Sequence, residues 1–267
     1  MQTYGAGYIA TGMDLIFNLL TPTNLAICMS VALLAGMVKG IVGFAMPMIM
    51  ISGLSAFVAP EIALAALILP TLLTNGIQAM RQGLAEAWAS VRRFRVFLIV
   101  GLVVLLGSAQ LVAILDQQVL LLLIGSFVVA FCLMQLLGWK PRLSAPSQRI
   151  EAGVAAVAGF IGGLSGVWGP PTVAYLTAID TPKAEQMRVQ GVIYGGGALA
   201  LAGAHLQSGI LNAQTVQLSA AMIPPALVGM WIGFQFQDRI DQRMFRRATL
   251  VVLLVAGLNL LRRGLIG

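Results

Sequence analysis

Residues 35–47 read AGMVKGIVGFAMP, and residues 158–170 read AGFIGGLSGVWGP. Gly36, Gly40, Gly43 and Pro47 recur as Gly159, Gly163, Gly166 and Pro170, each 123 positions later. The apolar runs that hold these stretches, 24–58 and 151–179, have 35 and 29 residues. Both are too long for one plain helix across a hydrocarbon core of about 30 Å. Glycine and proline together interrupt a helix, and the same interruption twice at a fixed spacing marks a duplicated chain.

The duplication reaches past the breaks. RQGLAEA (81–87) matches QSGILNA (207–213), and ILDQQVL (114–120) matches RIDQRMF (239–245), at offsets near 125. The remaining apolar runs fall near 61–80, 94–115, 118–138, 189–206, 214–236 and 245–261. Each half is therefore one broken segment plus three plain spans. Repeat one covers about 24–139 and repeat two about 151–267, joined by a cytoplasmic connection over 140–150 within one transmembrane domain.

Of the 267 residues, 59% are hydrophobic and only 9% charged, with mean hydropathy +0.92. Soluble domains carry roughly 25% charged residues, so the composition is that of an integral, multi-pass membrane protein. The net charge of +7 does not imply nucleic acid, because the sixteen Lys and Arg residues fall almost entirely between apolar runs, where orientation signals belong. Cys28 and Cys132 lie in apolar segments with no CxxC and no nearby histidine, so neither a disulfide nor a metal site is expected. No cofactor is expected either. Residues 1–23 contain no Lys or Arg, which argues against a cleaved leader.

Charge also chooses between two topologies. If every run crosses the membrane, the best orientation places nine basic residues inside and six outside. If 24–58 and 151–179 instead enter and return, the inside set gains Lys183, Arg188, Arg239, Arg243, Arg246 and Arg247, only Arg262 and Arg263 lie outside, and the ratio becomes thirteen to two. The expected fold is all-α and polytopic: two inverted repeats, each a re-entrant helical hairpin plus three transmembrane helices. Both termini then lie on the extracytoplasmic side of a cell membrane, the bacterial inner membrane.

Irregular chain at membrane depth survives only where protein or a watery cavity satisfies its backbone, so a paired break points to a pathway with substrate between the two turns. Pro47 and the Pro170-Pro171 pair suit the first turn of a returning half-helix, and two such amino ends favour an anion. Lys39 is the one basic residue deep in an apolar run, where a charge costs roughly 2.5–3.5 kcal/mol on insertion scales. It reads as the partner of a small anion, or else as a lysine snorkelling to an interface. Its counterpart is Gly162, which makes the expected site asymmetric.

Gly40, Gly43, Gly163, Gly166 and Gly169 allow close backbone approach or positive φ, with helix packing as the other reading, strongest for Gly36 and Gly40. Phe44 lies in the first turn. Asn75, Gln78, Ser165, Trp168, Gln190 and Tyr194 are placed to bond an oxyanion, with packing, interhelical bonding or an interface position as the alternative. Arg188 is a candidate guard of the cytoplasmic mouth. His205, the only histidine, is a candidate for coupling whose first reading is an outer-interface position.

The duplicated opening, AGMVKGIVGFAMP followed by AGFIGGLSGVWGPP, together with the chain length and basic central loop, resembles the sulfite exporter TauE/SafE family of membrane permeases. The resemblance spans nearly the whole chain and implies transport of small sulfur anions such as sulfite, sulfoacetate, isethionate or taurine-related sulfonates, in either direction. No HExxH, Walker motif or soluble GxSxG is present, so an enzyme is not expected. The competing functions are a passive anion or small-solute channel through the same hairpins and a structural membrane subunit. Expected partners are a small anionic substrate and the lipid bilayer, with a homodimer left open.

Overall fold

The computed structural model describes residues 20–138, 147–236 and 242–266, and every regular element among them is helical. The first half contains α1 (Pro22–Val42), α2 (Met46–Leu54), α3 (Pro60–Met80), α4 (Leu84–Arg93), α5 (Arg95–Ala109, extended by a 3-10 turn over Gln110–Ala113) and α6 (Gln117–Leu136). The second contains α7 (Gln148–Ser165), α8 (Gly169–Ala178), α9 (Lys183–Gln207), α10 (Ala213–Ala221), α11 (Ile223–Phe236) and α12 (Gln242–Ile266). Among the described residues, Pro22–Val42, Pro60–Met80, Arg95–Ala113, Gln117–Leu136 and Ala213–Phe236 are each long and apolar enough to cross a membrane. Ile99, Val103, Val255 and Leu258 are exposed on the outer surface, as lipid-facing residues are. The chain is a multi-pass membrane protein.

The two Gly/Pro breaks are sharp turns. Thr21 caps α1 by accepting the Asn24 N–H, and Gly43, at φ +83°, ends it with its N–H bonded to the Lys39 carbonyl at 2.7 Å. Gly166, at φ +70°, ends α7 in the same way on the Gly162 carbonyl, also at 2.7 Å. The chain then folds back. A methyl group on Gly53 of α2 would lie 2.9 Å from a Val31 methyl on α1, and Tyr175 on α8 donates to Glu151 near the start of α7. With 9 and 10 residues, α2 and α8 are about 14–15 Å long, half the hydrocarbon thickness. The turns differ in one respect: Ala45 holds φ +78°, a strained conformation for a residue with a Cβ, whereas Trp168 has φ −98°.

The halves interlock by exchange. Methyl groups on Gly36 and Gly40 of α1 would lie 2.1 and 2.4 Å from the carbonyl oxygens of Ala226 and Met230 on α11. On Gly159 and Gly163 of α7 they would meet the carbonyls of Gly101 and Leu105 on α5 at 2.2 and 2.6 Å. Each pair steps forward together, so α1 runs parallel to α11 and α7 parallel to α5. By contrast, α3 and α9 are antiparallel, Ala79 facing Gly191 and Asn75 facing Gly195, and α6 and α12 are antiparallel through Gly125–Gly257 and Leu122–Gly264. Backbones this close need small residues, the main source of helix affinity where lipid offers no hydrophobic drive.

Two features depart from the run-by-run reading. The run over 214–236 is two helices meeting at Met222, because Pro224 and Pro225 suit a helix start and not a continuous ladder. Residues 84–93 form an extra short amphipathic helix, α4, with Leu84 and Trp88 exposed and the Arg92 guanidinium 5.6 Å from the Trp88 ring centre. The basic central segment 139–146 and residues 237–241, whose charges enter the topology count, lie outside the described residues.

Pro70 sits inside α3, where its missing N–H leaves the Ala66 carbonyl without its ladder donor. Ser219 of α10 supplies one, its hydroxyl donating to that carbonyl at 3.3 Å and accepting the Leu69 N–H at 3.0 Å. Ser219→Ala is therefore expected to cost about 1–3 kcal/mol, read as a lower melting temperature in detergent. An unchanged melting temperature would show that the repair contributes nothing.

Candidate functional site

Both turns are braced by the antiparallel α3–α9 pair. At the first, Gln78 of α3 donates to the Gly43 carbonyl at 3.0 Å and to the Met187 carbonyl of α9 at 2.8 Å, clamping turn and both long helices together. Gln190, one turn further along α9, stands beside Gly43, its Oε1 3.5 Å from where a Gly43 Cβ would lie. At the second turn, Ser165 accepts the Val167 N–H at 3.2 Å, Thr172 donates to the Trp168 carbonyl at 2.8 Å, and Tyr194 donates to the Gly169 carbonyl at 3.2 Å. Trp168 is seated against Gly162 and Gly197, glycines that make room for its ring, and lies 6.3 Å from Tyr194, centre to centre.

Lys39 links the two regions. It is 2% exposed, and its ammonium donates to Asn75 Oδ1 on α3. Asn75 in turn packs against Gly195, the neighbour of Tyr194. The snorkelling alternative is excluded by geometry: the side chain runs into the protein toward α3, not out to an interface. A charge that costs kcal/mol in hydrocarbon is here kept among polar groups. An ammonium has three donors, and one Asn oxygen occupies one of them.

Three more buried polar atoms have no protein hydrogen-bond partner: Asn75 Nδ2 on the residue that holds the lysine, Gln190 Oε1 beside Gly43, and Trp168 Nε1 at the second turn. Two are donors, and the Gln190 amide becomes a third when it rotates to exchange its O and NH₂. With the lysine they form a donor-rich, cationic neighbourhood suited to an oxyanion, whose several oxygens accept many bonds at once. Asn75, Gln78, Trp168, Gln190 and Tyr194 are all at most 5% exposed, so these side chains are shielded from solvent.

The other sequence candidates divide. Phe44 and Pro47 are buried at the first turn; at the second, Gly169 is bonded by Tyr194, while Gly166 faces Leu64, Leu67 and Leu201 and Pro170 lines an outer apolar crevice. Gly40 and Gly163 instead pack against α11 and α5, where neighbouring backbone fills the space a ligand would need. The prolines bear on the half-helix ends as well: Pro170 and Pro171 withhold two amides from the first turn of α8, so side chains supply most of the donors there. His205 is fully buried near the C-terminal end of α9, with Nδ1 3.2 Å from Ser208 Oγ.

Arg188 lies in a polar latch at the charged end of the protein. It donates to Ser90 Oγ at 2.9 Å and to Gln82 Oε1, and pairs with Glu86 at 3.1 Å, while Arg93 pairs with Glu185 and Gln82 donates to the Ala184 carbonyl. The latch ties α4 and the end of α3 to the start of α9, immediately beyond Gln78 and Gln190. Sequence reasoning passes over its partners because Gln82, Glu86 and Ser90 look like loop polarity. Glu151 is missed for a similar reason: an acid opening an apolar run resembles a boundary residue. It is buried, accepting the Phe97 N–H near the start of α5 at 2.9 Å and the Tyr175 hydroxyl.

Known families were compared with the chain as a whole. A family model described as Sulfite exporter TauE/SafE matches residues 28–260, from the first hairpin into α12. No curated protein and no solved structure matches the chain. The matched stretch contains both Gly/Pro turns, the α3–α9 brace and the buried lysine, and on it the chain belongs to the TauE/SafE sulfite exporter family.

Proposed function

We propose that this protein is a secondary transporter of a small sulfur oxyanion or organosulfonate, sulfite, sulfoacetate, isethionate or a taurine-related sulfonate, bound between the two turns. The observation that carries the proposal is the buried Lys39 ammonium bonded to Asn75, whose Nδ2 is unpartnered, with a further unpartnered donor on Trp168 at the second turn. Lys39 supplies charge, Asn75, Gln190 and Trp168 supply directional bonds, and Tyr194 positions the start of α8 through the Gly169 carbonyl.

Inverted repeats with re-entrant hairpins fit the helix directions. Corresponding helices pair antiparallel (α3 with α9, α6 with α12), and each long hairpin helix runs parallel to a helix of the other half, as a two-fold axis in the membrane plane requires. In this reading both hairpin turns reach inward from opposite faces. Alternating access consists of one repeat moving against the other, with the Arg188 latch closing the cytoplasmic mouth. Exposure of 5% or less at five site residues favours a carrier over an open channel, since a channel needs a continuous wet path. Uptake of an anion against a negative-inside membrane potential takes about 2.3 kcal/mol per charge per 100 mV, so uptake requires coupling to another gradient, whereas export runs with the potential.

Reconstituted protein is expected to show saturable sulfite uptake with trans-stimulation; conduction without saturation or trans-stimulation would make it a channel. Lys39→Gln is expected to weaken sulfonate binding roughly 10- to 100-fold, the effect of losing a charged hydrogen bond of about 1.5–3 kcal/mol. Thermal-shift titration measures this, and unchanged binding removes Lys39 from the site. Arg188→Gln is expected to raise thiol labelling of Gln190→Cys from the charged side roughly threefold, in line with a partly exposed ion pair. Equal labelling rates would exclude a gating role.

A further inference from the structure

The outer face of the second half carries an apolar crevice of about 440 Å³ between α6, α7 and α8, lined by Phe131, Met134, Val154, Pro171, Tyr175 and Ala178 among others. A second cavity of about 370 Å³ continues it between α6 and α7 as far as Leu123 and Leu164. Phe127 lines both, so the two form one groove. It is open to the outside, since Leu123, Ile150, Val157 and Phe160 on its walls are all more than 40% exposed. The first half is different: there α2 packs on α12, whereas α8 stands off from α6 and leaves this gap.

Two features of the groove indicate what fills it. From Leu123 to Met134 it follows twelve residues of α6, about 16 Å at helical rise, which matches one leaflet of a hydrocarbon core of about 30 Å. Its Met134–Ile150 end opens beside the exposed Arg149. Glu151, two residues beyond Arg149, is turned inward onto Phe97 and Tyr175 and so does not neutralise that guanidinium.

We propose that this groove is a resident site for one acyl chain of an anionic phospholipid, its headgroup phosphate held by Arg149. The chain lies against Pro171, Ala174 and Tyr175 of α8 and takes the role that α12 has beside α2. The second turn is therefore supported by lipid where the first is supported by protein, and the lipid composition of the membrane sets how firmly α8 is held.

The protein is reconstituted in vesicles of equal phosphatidylglycerol and phosphatidylethanolamine, extracted in mild detergent and weighed by native mass spectrometry. The expected result is one retained phospholipid per chain, enriched in phosphatidylglycerol. A Cβ on Gly153 meets nothing within 4 Å, so Gly153→Phe fills the groove without a backbone clash. It is expected to lower retention about tenfold or more, since each displaced methylene is worth ~0.8 kcal/mol. Arg149→Gln is expected to remove the phosphatidylglycerol preference while leaving occupancy in place. Wild-type retention in Gly153→Phe, equal retention of both lipids by the unaltered protein, or a dimer that Gly153→Phe dissociates would each overturn the proposal. Should Gly153→Phe not fold, a phospholipid with a diazirine in its acyl chain is applied to the unaltered protein. Adducts concentrated on residues 123–134 and α8 are expected, and adducts spread evenly over the outer helices contradict the assignment.

Discussion

The Lys39 ammonium is held away from water and lipid by the groups packed around it, and much of the architecture follows from keeping it there. A lysine on a plain transmembrane helix can reach an interface; this one lies one turn before the Gly43 break, its side chain directed across to Asn75 of α3. For Asn75 to be in place, α3 must pass close to the turn, and Gln78 fixes that approach by bonding the Gly43 carbonyl. For α3 to bend through Pro70 without leaving a bare carbonyl, α10 must bring Ser219 against it. The lysine thus depends on a chain of hydrogen bonds from α1 through α3 to the second half.

The two halves are not used equally. Their turns share the left-handed glycine and the following proline, but one carries the lysine and the other carries Trp168, seated over Gly162, the lysine's own counterpart. The buried ammonium and its Asn75 and Gln78 neighbours belong to the first half, and Trp168, Gln190 and Tyr194 belong to the second. In the proposed function this asymmetry makes one anion site out of a duplicated scaffold, with α3 and α9 as its common wall. The polar latch around Arg188 and Glu185 extends that wall to the charged end, where closing and opening must occur if substrate is to leave.

Much of this was legible in the sequence because glycine, proline and buried charge have few uses in a membrane segment. The repeat offset located the two turns, and the depth of Lys39 in an apolar run marked it as a side chain that needs a buried polar partner, which is Asn75. Gly40 and Gly163 were harder, since a glycine that admits a ligand and one that admits a neighbouring backbone look alike until the neighbour is seen; α11 and α5 turned out to be those neighbours. Ser219, Glu151 and Gln82 escaped notice because their roles exist only across long sequence separations. Each answers a backbone group or charge on another helix, and nothing local in the chain announces the partner.

The central claim is that the transported anion sits between the two turns, on Lys39. It is tested most directly by determining the structure of the protein with selenite, a heavier oxyanion of the same shape as sulfite, and locating selenium by its anomalous signal. The account predicts a single strong peak within about 4 Å of the Lys39 nitrogen, the distance set by a charged N–H···O bond plus the oxyanion radius, with Asn75 and Trp168 turned toward it. A peak elsewhere on the chain, with Lys39 still bonded only to Asn75, would contradict it.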